Sequence, residues 1–310
     1  MRRPRALRRG DRIALVAPAS AFARDEFDAG VAEQRRRGFE PVYDESVFAS
    51  CHYTAGDAAT RAGAFRRAWT DPSNAALIAV RGGYGSMQIL PLLDRSEIRA
   101  TPKAFIGYSD NTSLLTYLTT GCGIVAFHGP MIEGRLARGD AGYDFATFSR
   151  VLMTAQPAGP VTHSTVETIR SGEAAGMLLG GTLTQLVSSL GTPFAFDPPR
   201  EHVLFIDEVG ERPYRIDRML TQLRQAGLLS RASGIVFGEL PRCDEPGGAG
   251  PLVRTIVADV LADFRGPILF GLPSGHTDGV SLTLPLGVRA RVVAQGAPEL
   301  IIEEAAVTNG

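Results

Sequence analysis

The sequence predicts an α/β protein: an N-terminal domain built on a doubly wound, mainly parallel sheet, then a smaller mixed α/β domain with antiparallel strands. Three observations carry this reading. Short apolar runs of strand length alternate with helix-length runs through the first half. Glycine, proline and aspartate separate them at short intervals. Late in the chain, residues 280–286 and 290–294 alternate in the manner of half-buried antiparallel strands.

The elements follow in order. Residues 13–17 read as a buried strand and 25–37 as a helix stopped by Gly38. A short strand at 40–43 precedes a helix at 57–70, which Asp71-Pro72 closes. A strand at 76–80 runs into Arg81-Gly82-Gly83-Tyr84-Gly85 and a helical 86–93. Strands at 104–107 and 124–127 flank a helix at 111–119. Residues 134–172 lose this rhythm, and their later part is expected to be a linker, which divides the chain into domains 1–160 and 161–310. In the second domain, 178–190 and 216–225 read as helices and 203–207 and 235–237 as strands.

Composition narrows the function classes. With 310 residues, 44% of them hydrophobic, the chain can bury a sizeable core. A formal net charge of −1 argues against nucleic acid or an anionic membrane as partner. The arginine-rich start, Arg2 to Arg12, is expected to be a solvated tail. It does not read as a secretion signal: the apolar stretch after it is short of the usual minimum of about seven residues, and Pro18 interrupts it. Cys51, Cys122 and Cys243 form no C-x-x-C pair, so no disulfide framework or zinc site is indicated and a reducing, cytoplasmic setting is expected. Cys122, ahead of an apolar strand, is expected to be a buried structural thiol.

Four loops could carry chemistry. Ser109 stands where the apolar run Phe105-Ile106-Gly107-Tyr108 gives way to a helix, so its hydroxyl is presented at a helix start. That is the placement an acyl-transfer nucleophile needs, although G-Y-S-D lacks the second glycine of the G-x-S-x-G elbow. The Gly82-Gly83 segment also follows a strand and can bring backbone N–H groups close to a phosphate or an oxyanion; it matches neither a dinucleotide fingerprint nor a P-loop. Both fall at strand carboxyl ends, the edge where doubly wound sheets bind ligands.

The run Val203-Leu204-Phe205-Ile206 ends in Asp207-Glu208, and alternation along a strand lets at most one of these carboxylates serve a given site. Of five histidines, His276 is the best catalytic candidate, held in Pro273-Ser274-Gly275-His276. His128 ranks second, while His52, His163 and His202 are expected at the surface. Serine, acid and histidine are together the parts of a charge-relay triad.

With these residues in view, the chain resembles the serine peptidases of the LD-carboxypeptidase family, which includes microcin C immunity-type peptidases. The resemblance runs from Val16-Ala17-Pro18-Ala19-Ser20 through Arg81-Gly82-Gly83-Tyr84-Gly85 and Gly107-Tyr108-Ser109-Asp110. It continues through Gly180-Gly181, Leu190-Gly191-Thr192-Pro193 and 213–220 to Gly275-His276 and Leu284-Pro285-Leu286-Gly287. It implies a cytoplasmic, metal-free and cofactor-free hydrolase, homodimeric, which cleaves the amide before the terminal D-alanine of murein tetrapeptides during cell-wall recycling. Carried over by position, Ser109 is the nucleophile, His276 the general base and Asp207 the acid, with Glu208 the alternative. Backbone N–H groups of Gly83 and Asp110 would stabilise the oxyanion. The chain departs from the family's pattern in having Asp-Glu where glutamate usually leads, and Thr182 where asparagine is common. A peptidase of the microcin C immunity type, cutting peptidyl-nucleotide amides, is the alternative. An aromatic platform for a base would favour it, and the single tryptophan, Trp69, falls in a helix of the first half.

Overall fold

A computed structural model describes residues 1–248 and 250–309. Its first sheet begins with β1 (Arg12–Val16), β2 (Glu40–Val42), β3 (Asn74–Ala79), β4 (Ala104–Gly107) and β5 (Ala126–His128). These five pair in parallel in the order β5-β4-β3-β1-β2. β3 is buried along its whole length, as a strand covered on both faces must be. The helix Ala58–Thr70 is capped by the Asp57 side chain, which accepts from Thr60 N, and it buries Phe65 and Trp69. The direction of winding reverses between β1 and β3. The crevice beyond their carboxyl ends is therefore where such a sheet accepts a ligand.

The second half supplies β6 (Pro157–Val161), β7 (Glu167–Arg170), β8 (Glu173–Thr182), β9 (His202–Asp207), β10 (Ala232–Gly238), β11 (Ile268–Leu272), β12 (Leu284–Leu286), β13 (Arg289–Val293) and β14 (Glu299–Ala305). Eight of them form one sheet, β6-β14-β13-β8-β9-β10-β11-β7, parallel through β8 to β11 and antiparallel at both flanks. β12 is the exception: it crosses back and pairs antiparallel with β5, completing the first sheet.

Alternation along β9 joins the two halves. Val203 and Phe205 pack into the large core shared with the first sheet, whereas Leu204 and Ile206 pack with Ile216, Leu220 and Leu223 of the helix Pro213–Gln225. Burying Phe205 alone is worth about 1.5–3 kcal/mol. Asp207 has the parity of Phe205 and so emerges toward the first domain.

Several expectations need correction. Residues 178–190 are not one helix: β8 continues to Thr182 and only Leu183–Ser188 is helical. Gly180 and Gly181, at φ +133° and +145°, explain the difference. A Cβ on Gly180 would fall on the Phe205 carbonyl, and one on Gly181 would stand 2.6 Å from the Thr112 side chain. Only glycine permits such close approach. The supposed linker is also structured, containing the helix Phe145–Leu152, β6 and β7. The expected division after residue 160 falls within β6, and β12 serves the sheet of the other half. The strand expected at 280–286 is shorter, starting at Leu284.

The arginine-rich start exposes its side chains but not its backbone, which bonds to Gly123, Leu152 and Thr308. His202 is fully buried rather than exposed, its Nδ1 2.9 Å from the Pro199 carbonyl. Cys122 is buried as expected, and all three cysteines are unpaired.

Candidate active site

Ser109 lies in the turn between β4 and the short helix Thr112–Thr116, with φ +62°. A left-handed φ is strained for a residue with a Cβ, and its cost of about 1–3 kcal/mol must be met by surrounding packing. The turn is held by Asp110, whose Oδ2 accepts from Ser86 N at 2.8 Å and whose Oδ1 accepts from Gln185 at 3.1 Å. Burial pushes the Asp110 carboxyl above its ordinary range. Ser109 itself is half-buried, and its Oγ makes no hydrogen bond among the described residues.

The glycine loop is packed against it. A Cβ on Gly82 would lie 2.8 Å from Ser109 Cβ and 3.0 Å from its Oγ. Gly82 accepts from Ser20 N at 3.1 Å, and Ser20 Oγ accepts from Tyr84 N at 3.0 Å, which pins the loop across the β1/β3 crevice. Gly83, at φ +94°, keeps its N–H without a partner among the described residues.

The acid and the histidine meet on the opposite side. Asp207 is fully buried, and its Oδ2 is 2.7 Å from His276 Nδ1. Its Oδ1 accepts from the His276 backbone N–H at 3.2 Å. Burial opposes charge on both groups. For Asp207, His276 and His128 outweigh burial and hold the carboxyl below its ordinary range. For His276, the Asp207 carboxylate outweighs it and raises the imidazole. The Tyr108 and His276 rings pack edge to face at 5.1 Å between centroids, which joins the residue before Ser109 to the histidine.

Glu208 points away. Its Oε2 accepts from both Thr184 N and Thr184 Oγ1, at 2.8 and 2.7 Å, and its Oε1 accepts from Val209 N. It caps the start of the helix Leu183–Ser188, and burial raises its carboxyl. Of the two carboxylates left open by the sequence, Asp207 is the one on the histidine. Thr182 Oγ1 stands 3.4 Å from Asp207 Oδ2, so the departure from asparagine falls beside the acid.

One contributor escaped the sequence reading. Arg135 is buried, and its guanidinium donates to the carbonyls of Gly275 at 2.8 Å, Thr277 at 2.6 Å and Gly279 at 2.9 Å. It therefore fixes the loop that carries His276 to the first half. Arg135 stands in no motif; a guanidinium satisfied by distant loop carbonyls leaves no trace in sequence spacing. A hollow of about 290 Å³, lined by Tyr43, Arg61 and Arg67 among others, lies apart from these groups. Among the described residues no cluster could hold a metal ion.

A half-buried serine in a strained turn, against a glycine loop, together with a carboxylate-bound imidazole packed on the preceding tyrosine, has the parts required for acyl transfer. The LD-carboxypeptidase N-terminal domain matches residues 13–129 and the LD-carboxypeptidase C-terminal domain matches 175–292. The murein tetrapeptide carboxypeptidase of Pseudomonas aeruginosa is 32% identical, over 86% of this chain and 88% of that protein. The Escherichia coli microcin C7 self-immunity protein is 27% identical, over 91% and 90%. The crystal structure of muramoyltetrapeptide carboxypeptidase from Oxalobacter formigenes superposes with a TM-score of 0.83 at 28% identity, over 96% of this chain and 100% of that one. The chain belongs to the LD-carboxypeptidase family of serine-type hydrolases.

Proposed function

We propose that this enzyme hydrolyses the amide before the terminal D-alanine of murein tetrapeptides, with Ser109, His276 and Asp207 as its triad. The observation that carries the triad is the 2.7 Å contact from Asp207 Oδ2 to His276 Nδ1, with the His276 ring packed on Tyr108, the residue before the strained Ser109. Asp207 keeps the proton on His276 Nδ1 and leaves Nε2 free to accept. Nε2 takes the Ser109 hydroxyl proton as Oγ attacks the carbonyl carbon. The resulting oxyanion is met by the backbone N–H groups of Gly83 and Asp110, each contributing about 3 kcal/mol by analogy with measured oxyanion holes. His276 then gives its proton to the D-alanine nitrogen, the C–N bond breaks, and water releases the acyl group from Ser109 by the reverse relay. A cytoplasmic homodimer is part of the same reading, and the three unpaired thiols favour a reducing compartment.

The second reading, a microcin-type amide hydrolase, has one observation in its favour. Tyr84, beside the glycine loop, packs edge-on against Tyr53 at 5.4 Å, and both rings are exposed, so a planar base could stack there. Trp69 offers no such platform, being fully buried against Phe65. Purified enzyme incubated with diaminopimelate- and lysine-containing tetrapeptides, and with an aminoacyl sulfamoyl nucleoside, separates the two. Release of D-alanine that is lost in Ser109→Ala supports the first reading. Cleavage of the nucleoside alone moves the assignment to the second, and fluorophosphonate labelling that persists in Ser109→Ala removes Ser109 as nucleophile.

A further inference from the structure

The second-ranked histidine has a place in the site that the triad does not use. His128 ends β5, in register with Gly107 of β4 and Leu284 of β12, and none of its surface is exposed. Its Nδ1 lies 3.0 Å from Ser274 Oγ, and its Nε2 lies 3.7 Å from Asp207 Oδ2, the oxygen that also receives His276. The ring is gripped by Phe205 at 4.9 Å and Tyr108 at 5.9 Å between centroids. Gly275 closes the remaining side: a Cβ there would fall on His128 Cε1 and stand 2.6 Å from Asp207 Oδ2. The imidazole therefore cannot turn away from the carboxylate.

Proton counting decides what faces Asp207. Ser274 Oγ has one proton and two acceptors within reach, His128 Nδ1 and the Leu282 carbonyl, both at 3.0 Å. If Ser274 donates to His128, the ring proton sits on Nε2. If it donates to Leu282, Nδ1 must carry a proton, and a neutral ring would then turn the bare Nε2 lone pair toward a buried carboxylate. Nε2 has no hydrogen-bond partner among the described residues to offset that repulsion. Every favourable state has the proton on Nε2.

We propose that His128 is a positioning residue: it aims its Nε2–H at Asp207 Oδ2 from the side away from His276 and so fixes the carboxylate that orients the catalytic base. This role rests on the triad reading given above. Asp207 then bonds His276 and Thr182 from its own half and faces His128 of the first sheet across 3.7 Å, so both halves set its rotamer. The Nε2–H dipole, 3.7 Å from Oδ2, also offsets part of the Asp207 charge, and removing it strengthens the pull of Asp207 on the His276 proton. The other charged or titratable groups facing this pair are Glu208, Arg135, Tyr108 and Cys243. Glu239 sits beside them, bonded to Thr277.

Long-range ¹H–¹⁵N NMR of the histidines tests the proposal on the wild-type protein, without any variant. A protonated His128 Nε2 is expected, and a bare Nε2 overturns it. Two variants then read the role. His128→Phe keeps the ring volume and loses the donor, while His128→Gln keeps an N–H at the same reach. The His276 titration midpoint should rise by about half a pH unit in His128→Phe and stay near wild type in His128→Gln. kcat should fall about tenfold in the first variant at little-changed KM, with recovery in the second. A folded His128→Phe with an unmoved His276 midpoint refutes the proposal, as does an equal shift in both variants. Failure of the hydrolase reading would look different: no Ser109-dependent turnover of any tetrapeptide, with the NMR results as expected.

Discussion

Replacing Asp207 with asparagine and, separately, Glu208 with glutamine tests which carboxylate stands behind the histidine. At residue 207 the His276 backbone N–H donates to Oδ1, so an asparagine keeps its oxygen there and places its NH₂ where Oδ2 was, against His276 Nδ1. Two donors cannot face each other, so the imidazole proton moves to Nε2, the atom that must accept from Ser109. A triad locked in that tautomer loses about 10⁴-fold in kcat, close to 5.5 kcal/mol of barrier. At residue 208 the consequences stay local. Glutamine sets one donor against Thr184, whose N–H and hydroxyl both bond Oε2, at a cost of about 1–3 kcal/mol of stability. Its kcat should stay within tenfold of wild type. Initial rates of D-alanine release give the first quantity, and urea unfolding followed by circular dichroism gives the second. A Glu208→Gln enzyme that loses 10³-fold or more while Asp207→Asn remains active would refute the assignment.

Three further outcomes follow from the same geometry. Because Asp207 raises the His276 imidazole and the base must be neutral to act, the acidic limb of kcat/KM should lie above the ordinary imidazole value of about 6.5; a limb below it contradicts the pairing. Gly82→Ala should place a methyl 2.8 Å from Ser109 Cβ and 3.0 Å from its Oγ, lowering kcat about 10²-fold and the unfolding midpoint as well, measured by turnover and thermal denaturation; unchanged kcat contradicts the placement. Burial pushes His202 down to about 4, so the fold loses stability as pH falls through the window from about 6.5 to that value, by about 3 kcal/mol in all. His202→Phe should flatten that window in urea titrations at pH 7 and pH 4, and a wild-type profile that is already flat excludes it.

The first half was legible because its strands are short, apolar and punctuated, so periodicity and composition agree. The site was legible in its residue types but not in its choice of acid. Alternation told that Asp207 and Glu208 diverge; yet Val203, Leu204, Phe205 and Ile206 are apolar on both faces of β9, so nothing local says which face meets the histidine. The second half misled where glycine pairs let a strand look like a helix, since Gly180-Gly181 owe their conformation to Phe205 and Thr112 rather than to their neighbours in sequence. His202 is buried for a related reason: Arg200 and Glu201 before it form a bend, while His202 already opens β9 and its ring bonds the Pro199 carbonyl. Arg135 answers to carbonyls about 140 residues away, a relation that only the folded chain contains.

The return of β12 to the first sheet has a practical meaning for anyone who would take this enzyme apart. Eight residues after His276, the chain donates an edge to the sheet whose other strands carry Ser109. A fragment ending near residue 160 would leave β5 with an open, aggregation-prone margin, and the complementary fragment would carry an orphan strand. Exchanging C-terminal halves between relatives would likewise replace one strand of the recipient's first sheet, so chimaeras must match at β5 as well as at the site. The two halves are stitched, not hinged, and substrate selectivity is best altered one loop at a time.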